Sequence, residues 1–205
     1  SDMYPKNYPN ISSMYNLNAE HDLYLKYSAK SRGFLTDKIY AVMNIKKQTD
    51  GNPIQAQSGR IILKNSTVQV DNINALVFDS NIKIDGLVKD VSTKNPNYDI
   101  TISSDRFNLK NLNNHDNIDI LPDALYSLLN QFTNYSGYMD FSTKFKNNIL
   151  ETVADFSGLS FTHKTSSLPF VFDDFTVKID KDKLSAKNVT ADMGKSPLYI
   201  DLEAK

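Results

Sequence analysis

The chain contains no cysteine and no tryptophan among its 205 residues. Without cysteine there is no disulfide scaffold, no thiolate nucleophile and no cysteine zinc site. The compartment stays open, because periplasmic proteins also dispense with cysteine. Glycine is scarce, at seven, which speaks against a glycine-rich phosphate cradle. No nucleophile elbow, dinucleotide fingerprint or P-loop pattern occurs. A surplus of one charge is missing too: the formal net charge is −1, whereas a nucleic-acid binder carries a basic excess. Nucleic acid is therefore not an expected partner. No run approaches the roughly 20 apolar residues that span a bilayer as a helix. Ser1–Asp2–Met3 opens into a Pro- and Asn-rich stretch with no signal-peptide pattern. The natural protein is expected to be longer, with its targeting or anchoring segment elsewhere.

What is present is enough apolar material for a core, with 40% hydrophobic and 23% charged residues. The visible richness in Asn, Lys and Ile reads as genome base composition rather than function. Residues 1–21 read as an irregular arm, and 22–205 as a single β-rich module. From Asp22 onward apolar and polar residues alternate. Ile39, Ala41, Met43 and Ile45 share one face. Ile61 and Leu63, Val68 and Val70, Leu76 and Phe78, and Ile82 and Ile84 follow. Then come Ile100 and Ile102, Phe141 and Phe145, Phe175 and Val177, and Leu198 and Ile200. Residues 48–58, with Asp50–Gly51–Asn52–Pro53, read as a loop. A period of two marks half-buried strands. Short connections favour antiparallel pairing with one face in water. The pattern predicts a mainly β fold: a large curved antiparallel sheet (groove, half-barrel or sandwich-like) with one amphipathic helix in mid-chain.

That helix is expected at about 119–132. Ile118, Leu121, Leu125, Leu128, Leu129 and Phe132 recur at steps of three and four. Pro122 suits a first helical turn and Asp123 the positive end of the dipole. Ser136–Gly137 would end the segment. With no Lys or Arg, the helix lacks the means to attach to anionic lipid electrostatically.

No constellation carries catalysis. His21, His115 and His163 show no metal-ligand spacing and read as surface histidines. Asp173–Asp174 and Asp180–Lys181–Asp182 read as solvated strand ends, and lack the ligand order of an EF-hand loop. Tyr24, Tyr40, Tyr138 and Tyr199 fall on the polar face, and most Phe residues on the apolar one. The expectation is a non-enzymatic protein with no metal and no cofactor.

Two stretches share a rhythm: NSTVQVDNINALVFDSNIKIDGLVKD at 65–90 and FTVKIDKDKLSAKNVTADMGKSPLYIDLEAK at 175–205. Their connections are read as differing in length. This rhythm resembles the repeats of the AsmA-like family of bacterial envelope proteins. The best local likeness is KLSAKNVTADMGKSPLYIDL, Lys183–Leu202. A second is Leu121–Lys146, and the likeness runs over roughly 58–205. Asp201 stands where that family closes on glycine, a place Gly86 fills in the first stretch.

The resemblance implies an elongated curved sheet with a hydrophobic groove along which phospholipid, or another acyl-chain lipid, moves between membranes in support of outer-membrane biogenesis. It implies a periplasmic location, an inner-membrane anchor outside this sequence, and neighbouring modules of the same longer chain as partners. The groove candidates are Ile82, Ile84, Ile100, Ile102, Phe141, Phe175, Val177, Leu198 and Ile200. Physical scale agrees. A helix of four turns covers roughly 20 Å, less than the width of ten strands about 4.8 Å apart. Either the sheet folds over itself or part of its face stays open. The rival expectation is a closed-core structural or adhesive β-domain of a larger surface protein.

Overall fold

A computed structural model of the chain describes residues 41–47, 54–91, 93–114, 126–127 and 129–204, together with the backbone of 19–24, 27–28, 33–34 and 40. In chain order the strands are β1 (Ala19–Tyr24), β2 (Tyr27–Ser28), β3 (Gly33–Phe34), β4 (Tyr40–Ile45), β5 (Ile54–Lys64), β6 (Thr67–Val77) and β7 (Ser80–Lys89). They continue as β8 (Asn97–Asn108), β9 (Phe132–Lys146), β10 (Ile149–His163), β11 (Pro169–Phe172), β12 (Phe175–Asp180), β13 (Lys183–Met193) and β14 (Ser196–Ala204). Twelve of them form one antiparallel sheet, while β2 and β3 make a separate two-stranded ribbon. From β4 to β10 each strand pairs with the next in sequence. β11 and β12 then lie end to end between β10 and β13, and β14 pairs with β13. The sheet is a meander that does not close into a barrel among the described residues.

Tight turns carry this topology. Asn65–Ser66, Phe78–Asp79 and Asn147–Asn148 all have positive φ at both positions, the geometry that matches the twist of the flanking strands. Asparagine tolerates this region better than most residues. Among the described residues six asparagines use it: Asn65, Asn72, Asn134, Asn147, Asn148 and Asn188. The asparagine bias therefore has a structural use beyond base composition.

Bulges interrupt the strands at matching places. The register slips between Val70 and Ile73 opposite β7, and between Ser104 and Phe107 opposite β9. It slips again between Ala186 and Val189 opposite β14. Each slip is stabilised by an aspartate that accepts the bulged backbone N–H. Asn72 donates to Asp85 at 2.8 Å, Arg106 to Asp140 at 2.5 Å and Asn188 to Asp201 at 2.7 Å. The irregularity between β9 and β10 is held the same way, with Gly158 donating to Asp174 at 3.1 Å. Bulges bend a strand and sharpen its twist.

The two related stretches prove closer than their sequence suggested. Thr67–Gly86 and Lys183–Leu202 align with no gap: Val70 faces Gly86 and Ile73 faces Ile84, as Ala186 faces Leu202 and Val189 faces Ile200. In this register Asp201 corresponds to Asp85, not to Gly86. The turn after Val77 and the turn after Met193 are both two residues long.

Other expectations need correction. Residues 54–58 are strand rather than loop: Ile54, Gln55 and Ala56 pair with Val77, Leu76 and Ala75. Phe78 is a turn residue, and the bulge at Asn72 turns Leu76 to the polar side. The strand pattern begins at Ala19 and takes in the last three residues of the expected arm. Most of the expected helix, including Ile118, Leu121, Leu125 and Leu128, lies outside the described residues. Of the rest, Tyr126, Ser127 and Leu129 are helical, and the Asn130 N–H donates to the Tyr126 carbonyl at 2.8 Å. Phe132 is not helical: it opens β9 opposite His163, and its ring packs 4.7 Å from that of Phe161. Ser136 and Gly137 lie inside β9 rather than at a helix end.

A compact core sits at one end of the apolar face. Phe78, Ile82, Phe107 and Leu109 are buried together, with Met139, Phe141 and Phe156 against them. A 3-10 turn, Leu109–Asn113, closes over this end. It is tied to β9 by Asn113, which accepts from the Tyr135 N–H at 2.7 Å and donates to the Tyr135 carbonyl at 2.8 Å. Phe78 holds a φ of 50°, uncommon for a bulky side chain. Burial of its ring and the Asn111 amide bonded to its carbonyl offset that cost.

Candidate functional site

The register determines which side chains share a face. Met43 faces Ile61, Ile61 faces Val70, Val70 faces Gly86 and Gly86 faces Ile100. Ile100 faces Phe145, which faces Leu150, and Ile102 faces Thr143, which faces Thr152. Thr152 faces Ile179, Ala154 faces Val177 and Phe156 faces Phe175. Val177 faces Ala186, which faces Leu202. These rows form one continuous apolar surface from β4 to β14. No Asp, Glu, Lys or Arg falls on it among the registered pairs of these strands. All nine groove candidates lie on this face: Ile82, Ile84, Ile100, Ile102, Phe141, Phe175, Val177, Leu198 and Ile200.

Their environments differ. Ile82 is 6% exposed within the core, so it fills the closed end. Ile102 is 37% exposed and its neighbour Phe145 38%, although both sit on central strands. In a closed sandwich the inward residues of central strands are fully buried. Ile84, Ile100, Phe141, Phe175, Val177, Leu198 and Ile200 are half-buried. The apolar surface is thus covered at the Phe78–Phe107 end and open around Ile102 and Phe145, on β8 and β9.

An aromatic belt lines the far part of the same face. Phe156 stacks on Phe175 at 4.8 Å and 9°, Phe175 meets Phe172 at 5.6 Å, and Phe172 meets Phe161 at 5.4 Å. Such ring pairs contribute about 0.5–1.5 kcal/mol each beyond the area they bury. Sequence reading passed over Phe170 and Phe172 because β11 is only four residues long. Their Phe-x-Phe spacing was the available signal. Tyr98, the neighbour of Phe145, was legible in the strand alternation but was not among the groove candidates. It stacks on Phe145 at 4.7 Å and bonds Asn148 through its hydroxyl.

The opposite face is solvated and charge-balanced. Arg60 pairs with Asp71 at 2.6 Å, Lys83 with Asp105 at 2.9 Å and Lys183 with Glu203 at 2.5 Å. The Arg60 guanidinium and the Asn72 amide hold the Asp71 carboxyl below its ordinary value. Lys183 does the same to Glu203, whose charge in turn raises the Lys183 ammonium. Tyr138 and Tyr199 sit on this face by register, and Arg106 lies 4.3 Å over the Tyr138 ring; the side chains of Tyr24 and Tyr40 lie outside the described residues. Two shallow concavities on this side measure about 330 Å³, beside Leu87, Asp99 and Lys146, and about 580 Å³, beside Thr176, Lys178 and Ser185. Both are lined by mixed charges rather than by converging catalytic groups.

Asp173 and Asp174 occupy the break between β11 and β12, where Asp173 accepts from the Thr190 hydroxyl and Asp174 holds the Gly158 bulge. His163 is engaged locally, with its Nδ1 3.0 Å from the Ser166 hydroxyl. The side chains of His21 and His115 lie outside the described residues. Among the described residues no three His, Asp or Glu side chains gather to hold a metal ion. No family model, curated protein or solved structure matches the chain.

Proposed function

We propose that the open apolar face binds the acyl chains of lipid, and that the chain is a non-enzymatic envelope module of AsmA-like type that shields or conducts phospholipid between membranes. The observation that carries this reading is the exposure of Ile102 and Phe145 on central strands of a face without charge. Apolar surface left in water costs roughly 25 cal/mol per Å², so a broad apolar strip on a folded sheet favours an apolar occupant. Hydrocarbon suits it, because the strip offers contact area without a donor or acceptor pattern. The charged opposite face keeps the module in water while the chain slides. A periplasmic site of action and neighbouring modules of a longer chain belong to the same reading.

The test is binding of a fluorescent fatty acid to lipid-stripped protein, with native mass spectrometry of the protein as purified. Saturable binding and acyl-lipid adducts would support the reading. Fluorescence at the level of a control β-protein, with no adduct in the spectrum, would favour the closed-core structural domain instead.

A further inference from the structure

We infer that β14 is a self-pairing edge, and that two copies of this chain join through it into one sheet with a continuous apolar face. β14 pairs with β13 on one side, and no described residue occupies its other side. Exposed edges are normally blunted by charged side chains, proline, inward-pointing charge or a bulge. β14 has Pro197 near its start and Asp201 and Glu203 on its polar face, but no bulge and no inward-pointing charge: its apolar face presents Leu198, Ile200 and Leu202. Tyr199 is 78% exposed and Leu202 45%, so both faces of the edge offer apolar surface to a neighbour.

The sequence of the edge is complementary to itself. Ile200 is the midpoint of Ser196–Ala204. Antiparallel pairing about a two-fold axis through Ile200 uses the whole strand. It sets Leu198 against Leu202 of the second copy, Ile200 against Ile200, and Tyr199 against Asp201. No like charges meet. Centring the axis on Asp201 would oppose the two Asp201 carboxylates, and centring it on Leu202 would oppose Asp201 and Glu203, both destabilising. An axis perpendicular to the sheet keeps the apolar faces on the same side, so each copy extends the strip of the other. The interface is isologous and closes at two. The dimer stands on the edge alone, and only the use of the joined strip rests on the acyl-chain reading.

Sedimentation velocity of lipid-stripped protein over a concentration series, combined with cysteine cross-linking, tests this. The chain has no cysteine, so a single introduced one reports unambiguously. Directly opposed residues bring Cα atoms within disulfide reach, about 4.4–6.8 Å, so I200C should form a disulfide-linked dimer. Y199C lies on the other face and out of register with its own copy, and should not. The wild type should show a monomer–dimer equilibrium, and L202K, which puts a charge on the edge, should lose the dimer while keeping its circular dichroism. A monomer at every concentration, an open-ended series of larger species, or equal cross-linking of I200C and Y199C would overturn the inference. Because no lipid is present, these outcomes are independent of the acyl-binding result.

Discussion

Asp85 reaches from β7 to accept the backbone N–H of Asn72 at 2.8 Å, and so holds the bulge that turns the second half of β6. Asp201 does the same for Asn188 at 2.7 Å in the gapless counterpart of that hairpin. The N–H of a bulged residue has no ladder partner, and a carboxylate satisfies it with a charge-assisted bond.

Asp85→Ala should lower stability by about 1–3 kcal/mol, the range for removing a charged acceptor from a backbone donor. Asp85→Asn retains an acceptor and should cost less. Urea denaturation of the three proteins checks the order. Asp201→Ala acts at the sheet edge, so its larger signature should be faster amide exchange in β14.

Close backbone approach makes one glycine irreplaceable and leaves another nearly free. A Cβ at Gly137 would stand 2.5 Å from the Gly158 carbonyl oxygen, with φ at +100°. At Gly194, φ is +66° and nothing lies within 4 Å. Gly137→Ala should therefore destabilise by several kcal/mol or prevent folding, while Gly194→Ala should cost about 1 kcal/mol for the left-handed backbone alone. Thermal melts of both variants separate the two.

These constraints were only partly legible. Strict alternation such as Tyr98–Ile100–Ile102 or Leu198–Ile200–Leu202 revealed strands and their apolar side, because the side-chain period of two survives any tertiary context. The bulges were not legible, since each reverses the parity within a strand. That is why Leu76 was assigned to the wrong face and residues 54–58 to a loop. Asparagine in mid-strand at 72 and 188 was the available sign of positive φ. The candidate residues shared one face as their alternation implied. Their split into a closed end around Ile82 and an open middle around Ile102 depends on where the Leu109–Asn113 turn folds back, which no local pattern encodes.

That split predicts opposite phenotypes. Phe107 is 8% exposed in the closed cluster, and Phe107→Ala should cost about 3–5 kcal/mol. Ile102→Ser, on the open strip, should cost about 1 kcal/mol for the partial burial it removes, yet weaken acyl-chain binding severalfold. Paired denaturation and fatty-acid titrations show whether stability and binding separate.

Tyr135 predicts an alkaline transition. Burial pushes its phenol up to about 12, and its hydroxyl donates to the Leu129 carbonyl at 2.8 Å. The folded state favours the neutral form, so this contribution is intact below pH 10 and is lost as pH rises toward 12. Tyr135→Phe loses the hydroxyl bond, about 0.5–1.5 kcal/mol. The stability gap between wild type and variant should shrink across that interval, as denaturation at stepped pH would show.

The central claim is that acyl chains lie on the open apolar strip. Photo-cross-linking with a phospholipid carrying a diazirine in its acyl chain, followed by peptide mapping, tests it most directly. Label should concentrate on peptides containing Ile100–Ile102, Phe141–Phe145 and Phe175–Val177, and unlabelled phospholipid should compete it away. Label spread evenly over both faces, or unaffected by competitor, would contradict the account.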